Sequence, residues 1–319
     1  MEEKQVTVII PNYNGRQLLK KCIETLECQT VRFRLIVVDN GSTDKSTELA
    51  SDTIDIDWVK LKQNTGFCGA VNAGIRLVET PYFILLNNDT EAEPDFVEQL
   101  LDAIQDSEKI FSCSAQMLQY GRRDYIDNAG DYYTALGWAV ARGKGKLAAD
   151  YSRAAEVFSC CGGAAIYRTD AVRKTGLFDE RHFAYLEDVD MGYRARIYGY
   201  RNCYAPAAKV YHVGSATTGA RYNEKKVFLA ARNSVYLIYK NMPPLQLAVN
   251  LPLIVPGILI KWMFFVRKGF GRDYLRGIRE GIRQRGKCQK VPFYPENTIN
   301  YVRIQMSLWG NIFRILFEK

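Results

Sequence analysis

The sequence predicts an α/β protein with a mainly parallel sheet flanked by helices, and three observations carry that reading. Four short apolar runs, Val6–Ile10, Leu35–Val38, Trp58–Leu61 and Tyr82–Leu86, fall within the first 90 residues. Most are followed by a polar loop rich in Asn, Asp or Gly, and the stretches between them include apolar residues at helical spacing. Strands buried on both faces read as continuous apolar runs, and parallel pairing needs a helical crossover between strands. In such sheets ligands bind beyond the carboxyl ends of the strands, so the loops 12–14, 39–44 and 87–89 are expected on one rim.

In order, VTVII (6–10) reads as a buried strand that stops at Pro11-Asn12-Tyr13-Asn14-Gly15. Apolar residues three and four apart predict a helix over Leu18–Leu26. LIVV (35–38) runs into Asp39-Asn40-Gly41-Ser42-Thr43-Asp44, where Ser42 or Thr43 can cap a helix over Lys45–Ala50. Trp58–Leu61 is the third strand. Residues 64–74 form a glycine-punctuated turn that opens a helix to about Val78. Its glycines stand at 66, 69 and 74, which does not match the G-x-G-x-x-G spacing and disfavours a dinucleotide dehydrogenase. Tyr82–Leu86 ends on Asn87-Asn88-Asp89, and a helix follows over Asp95–Ile104.

From Ile110 to Ala165 the pattern loosens into short strands and glycine turns, read as an insertion over the rim. Glu156–Tyr167 returns to the sheet through Cys161-Gly162-Gly163-Ala164, small residues that permit close approach of a backbone. Glu187, Asp188 and Asp190 then crowd three carboxylates into four positions. A helix over Met191–Tyr198 and a strand over Lys209–Tyr211 lead to His212. Clustered acids repel one another unless a cation, a proton or a substrate offsets them, which marks this stretch as a functional candidate.

Composition bounds the rest. Of 319 residues, 47% are hydrophobic and 24% charged, which excludes wholesale disorder. Eight cysteines include no C-x-x-C pair, so neither a zinc site nor a disulfide scaffold is expected, and buried reduced thiols of a cytosolic protein are. The start, MEEKQVTVIIPNYNG, shows no secretory h-region. The net charge of +8 is local: residues 257–290 hold ten basic side chains against Asp273 and Glu280. Beside them, Leu245–Val266 is long enough to span a bilayer but is interrupted by Asn250, Pro252, Pro256 and Lys261. An amphipathic segment lying on an anionic membrane surface is expected; packing on the core or in a homodimer interface is the alternative. No nucleic-acid-binding module accompanies the basic window, so no nucleic-acid partner is expected.

Four passages, VIIPNYNG (8–15), VVDNGSTD (37–44), LLNND (85–89) and FAYLEDVDMGYRARIYGY (183–200), resemble in that order the inverting glycosyltransferases of family 2, which have the GT-A fold. NTGFCGAVNAGI (64–75), TGLFDERHFAYLEDVD (175–190) and YHVGSATTG (211–219) resemble its rhamnosyltransferase-like subgroup. The resemblance covers roughly residues 5–240. It implies a Rossmann-like GT-A catalytic domain over 1–240, followed by a helical, apolar-then-basic, membrane-associating extension over 241–319.

The resemblance also implies roles. Asp39 would hydrogen-bond the nucleotide's base or ribose, with Pro11, Asn12 and Tyr13 lining the same pocket; a helix cap or turn is the alternative for Asp39. Asn64, Gly66, Asn72, Asn88 and Gly163 would complete the nucleotide-sugar site. Asn87-Asn88-Asp89 stands where the family has its D-x-D metal motif, so Asp89 and Asn87 would hold Mg2+ or Mn2+. Asn87 replaces the first acid, and His212 would serve as an added ligand. His182 has no such support and is read as structural. Asp188 would take the acceptor hydroxyl's proton and Glu187 would orient Asp188 or the acceptor, while Asp190 would cap its helix or pair with Arg194.

The expected reaction moves a sugar, L-rhamnose from dTDP-L-rhamnose, to a hydroxyl of a glycan or lipid-linked glycan on the cytoplasmic face of a bacterial membrane. A UDP-hexose or UDP-N-acetylhexosamine transferase, a sugar nucleotidyltransferase and a non-catalytic nucleotide-sugar-binding protein are the alternatives.

Overall fold

The computed structural model of the protein describes residues 4–214 and 222–317. Its centre is a ten-stranded mixed sheet. Strands β1 (Val6–Asn12), β2 (Arg34–Asp39), β3 (Ile56–Lys60) and β4 (Tyr82–Leu86) pair in parallel in the order β3-β2-β1-β4. Two strands attach further on, β5 (Thr90–Ala92) and β6 (Ile110–Gln119). Next come β7 (Arg122–Asn128), β8 (Asp131–Tyr133), β9 (Ala139–Ala141) and β10 (Ala155–Val157), of which β8 and β9 pair as a separate two-stranded sheet. β11 (Ala164–Arg168) lies antiparallel between β4 and β6, and β12 (Arg201–His212) runs parallel to β6.

Alternation along β1 shows how the layers form. Val6, Val8 and Ile10 face one side with α1 (Arg16–Leu26) and α3 (Phe96–Gln105). Ile9 faces the other, where α2 (Gly66–Ile75), α4 (Thr169–Thr175) and α5 (Glu187–Ile197) pack. Successive side chains of a strand point to opposite faces, so an uninterrupted apolar strand is what two helical layers demand. The C-terminal helices are α6 (Glu224–Asn241), α7 (Pro244–Arg267), α8 (Gly271–Gln284) and α9 (Thr298–Phe317). Tyr193 and Ile197 of α5, Leu237 of α6, Ile254 of α7 and Tyr301, Ile304 and Leu308 of α9 share one core cluster, so the extension is built onto the α/β layer.

Three expectations are corrected. Ile110–Ala165 is not a loose insertion, because β6 is a ten-residue strand in the middle of the sheet. Its buried Ser112 and Gln116 masked it. They are satisfied sideways by β12, Ser112 Oγ donating to Asn202 Oδ1 (2.9 Å) and Gln116 Nε2 to the Tyr204 hydroxyl (2.8 Å). The helix expected over Lys45–Ala50 is a single 3-10 turn, Ser46–Glu48, entered through Lys45 at φ 61°. Its first N–H donates to Asp44 rather than to Ser42 or Thr43. The strand read as Lys209–Tyr211 extends from Arg201 to His212, with a register break between Ala205 and Lys209.

α7 is, among the described residues, the one helix long and apolar enough to cross a membrane, with a mean hydropathy of 1.8 over its most apolar window. Its polar Asn250 is nevertheless buried, exchanging amide hydrogen bonds with Gln305 of α9 (2.7 and 2.8 Å).

Candidate active site

The carboxyl ends of β1, β2 and β4, the N-terminus of α5 and the end of β12 surround a cleft of about 670 Å3. That volume lies within the usual range of small-molecule sites.

One side of the cleft is built from strand ends. Asn12 ends β1 opposite Asp39 of β2, and Asn12 Oδ1 accepts from Asn88 Nδ2 at 2.7 Å, which ties the β1 and β4 loops together. Asp39 is buried; its Oδ2 accepts from the Ser42 N–H (3.3 Å), and Oδ1 has no partner. A buried acceptor with nothing to accept is the kind of atom a ligand's N–H or O–H satisfies. Pro11 and Tyr13 line the cleft, Tyr13 on its exposed rim. Asn64 Oδ1 accepts from the Gly66 N–H (2.8 Å), and Asn40 pins the same turn through the Thr65 N–H and the Gly66 carbonyl. Gly66 sits at φ +79°, and a Cβ there would lie 2.4 Å from the Phe183 carbonyl, so the turn requires glycine. Gly163 meets the end of β4, its carbonyl accepting from the Asn87 N–H (2.8 Å).

Two expected residues do not line the cleft: Asp39, buried at the end of β2 beside Asn12, which does, and Asn72. Asn72 is buried on α2 and spends its amide on the Phe178 backbone (2.8 and 3.1 Å) and on Glu180 (3.0 Å), bracing the 178–180 turn. The spacing of a glycine-rich helix could not show which face it would turn to the sheet. Ser215–Gly219 of the passage 211–219 lie outside the described residues.

Between the two sides, His212 stands with Nε2 3.3 Å from Asp89 Oδ1 and Nδ1 2.7 Å from Asp127 Oδ2. Asp127 is in turn paired with Lys144 (2.8 Å). Burial opposes the charged imidazole, but hydrogen bonds to Asp127 and Asp89 hold its pKa up at about 9. Burial likewise opposes the Asp127 carboxylate, yet His212 and Lys144 draw it down to about 2. Two ligand atoms each ~2.1 Å from one cation at near right angles stand ~3 Å apart, so the 3.3 Å spacing fits a divalent ion that displaces the proton His212 shares with Asp89. Asn87 lines the same wall. Among the described residues no three His, Cys, Asp or Glu side chains converge on a point. The donor set therefore fits a cation completed by phosphate oxygens and water rather than an all-protein cage. Asp127, which orients the imidazole, carries no mark in the sequence that would have singled it out.

The facing side, at the start of α5, is held differently. Glu187 and Asp188 open α5 on the cleft wall. Burial raises Asp188, while the Val189 N–H (2.8 Å) and Gly162 N–H (3.4 Å) partly restrain it. Burial and then the Asp188 charge raise Glu187 well above the ordinary carboxylate range, and its Oε2 has no partner. Asp131, buried at the start of β8, is raised by the same two causes. Asp190 is separate. It is held low by Lys240 and Arg194 against its burial, at 2.8 and 3.0 Å, with Asn241 donating to its other oxygen (2.8 Å). It pairs with Arg194, one of the two roles expected for it.

The turn entering α5 is strained: Phe183, Tyr185 and Leu186 take φ values of 63°, 76° and 67°. Such residues cost of order 1–3 kcal/mol each and persist where the surroundings over-determine them. Here Asn233 of α6 does so, its one amide nitrogen donating to the carbonyls of His182, Ala184 and Tyr185 (2.9, 2.9 and 2.8 Å). Arg232 donates to the Arg181 and His182 carbonyls beside it. His182 is buried, its ring nitrogens without hydrogen-bond partners and its edge on Tyr236. Lys225 and Lys226 at the start of α6 also line the cleft, and no motif or spacing marked them.

Comparison with known proteins accords with this geometry. The description "Glycosyl transferase family 2" matches residues 7–176. An N-acetylglucosaminyl-diphospho-decaprenol L-rhamnosyltransferase of Mycobacterium tuberculosis is 26% identical over 71% of this chain and 84% of its own length. A teichoic acid poly(glycerol phosphate) polymerase of Staphylococcus epidermidis is 37% identical over 27% of this chain, a match that spans only 13% of the polymerase. Among solved structures, GalNAc-T7 with UDP, GalNAc and Mn2+ superposes with a TM-score of 0.60 at 14% identity, over 75% of this chain and 48% of that one. The fold is GT-A, and the chain belongs to glycosyl transferase family 2.

Proposed function

We propose that the protein transfers L-rhamnose from dTDP-L-rhamnose, with inversion, to a hydroxyl of a lipid-linked glycan at the cytoplasmic face of a bacterial membrane. The observation that carries this reading is the division of one cleft. The partnerless Asp39 oxygen and the Asp89–His212 pair lie toward the strand ends, and the proton-avid Asp188 opens the facing helix. The rhamnosyl donor is supported by the mycobacterial relative, which covers most of both chains.

In this reading Asp39 accepts a hydrogen bond from the nucleoside, and Asp89 and His212, with Asn87 beside them, hold Mg2+ or Mn2+. Such a cation supplies positive charge to the departing diphosphate. Asp188 removes the acceptor proton as the hydroxyl oxygen bonds to the anomeric carbon and the bond from that carbon to the phosphate oxygen breaks. Its raised proton affinity makes it a stronger base than an ordinary carboxylate. Glu187, one residue away, orients the acceptor. The membrane part rests on α7 and α9, which expose Leu259, Met263, Met306 and Phe313 among others, with the basic α8 between them in the chain.

The test is a panel of sugar nucleotides, dTDP- and UDP-linked, incubated with the enzyme, Mn2+ or Mg2+ and bacterial membranes, reading nucleoside diphosphate release. Release from dTDP-L-rhamnose above all others is expected. Preference for a UDP-sugar overturns the donor, and release of pyrophosphate overturns the reaction.

A further inference from the structure

A second cavity, of about 550 Å3, opens where the end of α5 and the start of β12 meet α9. Arg196 of α5, Arg201 of β12 and Arg303 and Arg314 of α9 line it. Its one carboxylate, Glu156, is engaged by Arg196 at 3.0 Å. Arg196 also donates to the Phe158 (3.1 Å) and Val157 carbonyls. Among the described residues, no carboxylate lies within ion-pair distance of Arg201, Arg303 or Arg314, and Arg314 reaches only the Asn311 amide oxygen (3.3 Å). Cations sharing a cavity repel one another, and a planar guanidinium fork matches phosphate oxygens in pairs. The cavity and the cleft lie toward opposite ends of the same two elements: Asp188 opens α5 on the cleft and Arg196 closes it on the cavity, about 12 Å of helix apart, while Arg201 begins β12 and His212 ends it.

α9 indicates which anion fits. Val302, Met306, Trp309, Phe313 and Leu316 recur at helical spacing along one exposed face. Arg303, Ser307 and Arg314 form the neighbouring stripe at the cavity, and Tyr301, Ile304 and Leu308 face the core. An apolar face flanked on the same helix by arginines is the pattern of a segment lying in the plane of a membrane, with its cations at headgroup level. We infer that this cavity binds the phosphate of an anionic phospholipid headgroup while the exposed face of α9 enters the acyl region beside it. The inference rests on the membrane-lying reading of α7 and α9, and it names residues outside the basic window 257–290.

The test is co-sedimentation of the full chain with vesicles of phosphatidylcholine, with and without phosphatidylglycerol. Three proteins are compared: the unaltered chain, Arg303→Gln with Arg314→Gln, and Lys21→Gln with Lys62→Gln, which removes equal charge elsewhere on the surface. The arginine variant should lose about 10- to 30-fold in partition onto phosphatidylglycerol vesicles, and the lysine variant no more than about twofold. Equal losses in the two variants overturn the cavity and leave the membrane reading standing. Failure of the unaltered chain to bind either vesicle overturns both. Saturable binding of inorganic phosphate that the arginine variant abolishes, with vesicle partition unchanged, assigns the cavity to a free phosphate and overturns the lipid source. None of these outcomes depends on turnover, so a failure here is separable from a failure of the rhamnosyl-transfer reading.

Discussion

The two sides of the cleft are built by different means. On the donor side, Asn12, Asp39 and Asn87–Asp89 hang from the ends of β1, β2 and β4, and neighbouring loops brace them, as in the Asn12–Asn88 pair. On the acceptor side, Glu187 and Asp188 follow three left-handed residues that are held by Asn233, nearly fifty positions further along the chain. The donor side is a consequence of the sheet, whereas the acceptor side is imposed on α5 by α6. Substitutions should therefore separate nucleotide binding from transfer according to the side they touch.

The largest effect is expected at the pair between the two sides. Asp89→Ala should reduce transfer by about 10²–10³-fold and weaken nucleoside diphosphate binding in Mn2+, read by calorimetry. Unchanged metal-dependent affinity would remove Asp89 from the donor side. Asp127→Ala leaves both candidate ligands in place but removes the acceptor that orients the imidazole, so the Mn2+ concentration for half-maximal activity should rise roughly 10- to 100-fold.

Next is the brace. Asn233→Ala removes its N–H donors from the Ala184 and Tyr185 carbonyls and leaves the His182 carbonyl to Arg232, and kcat should fall by roughly tenfold or more through misplacement of Asp188, with nucleoside diphosphate affinity unchanged. Asn233→Asp, equal in shape but without the N–H donor, should fall as far. A loss of melting temperature with kcat intact would reduce Asn233 to a structural residue.

The smallest effect is thermodynamic. The Glu187 carboxyl holds its proton more tightly in the folded chain than unfolded, so stability declines as pH rises from the usual carboxylate range through its raised pKa. Glu187→Gln removes that penalty and should raise Tm at pH 8 by roughly 2–4 °C, with no gain at pH 4. Asp190, held low, works in the opposite sense: its stabilisation is present above pH 4 and is lost as pH falls below.

Much of the donor side was legible because its chemistry sits at the ends of buried strands, where an apolar run stopping on Asn or Asp marks both the element and the rim. Asn72 misled because helical spacing does not say which face meets a ligand, and the structure gives its amide to Phe178. The 110–165 stretch was misread because Ser112 and Gln116, polar but paired across strands, broke the apolar run of β6. Asp127, Asp131 and Asn233 act only through contacts between segments far apart in the chain, so single-sequence spacing carried no trace of them. The carboxylates at 187–190 were visible as a crowd. Their separation into two raised groups and one held low depends on Lys240 and Arg194, of which the sequence indicated only Arg194.

The central claim is that Asp188 serves the acceptor and not the donor. It is tested most directly by Asp188→Asn, with nucleoside diphosphate affinity and single-turnover sugar transfer measured on the same sample. Affinity within about twofold of the unaltered enzyme and transfer reduced by about 10²–10⁴-fold is the expected result. Transfer that survives the substitution, or affinity that falls along with it, would contradict the account.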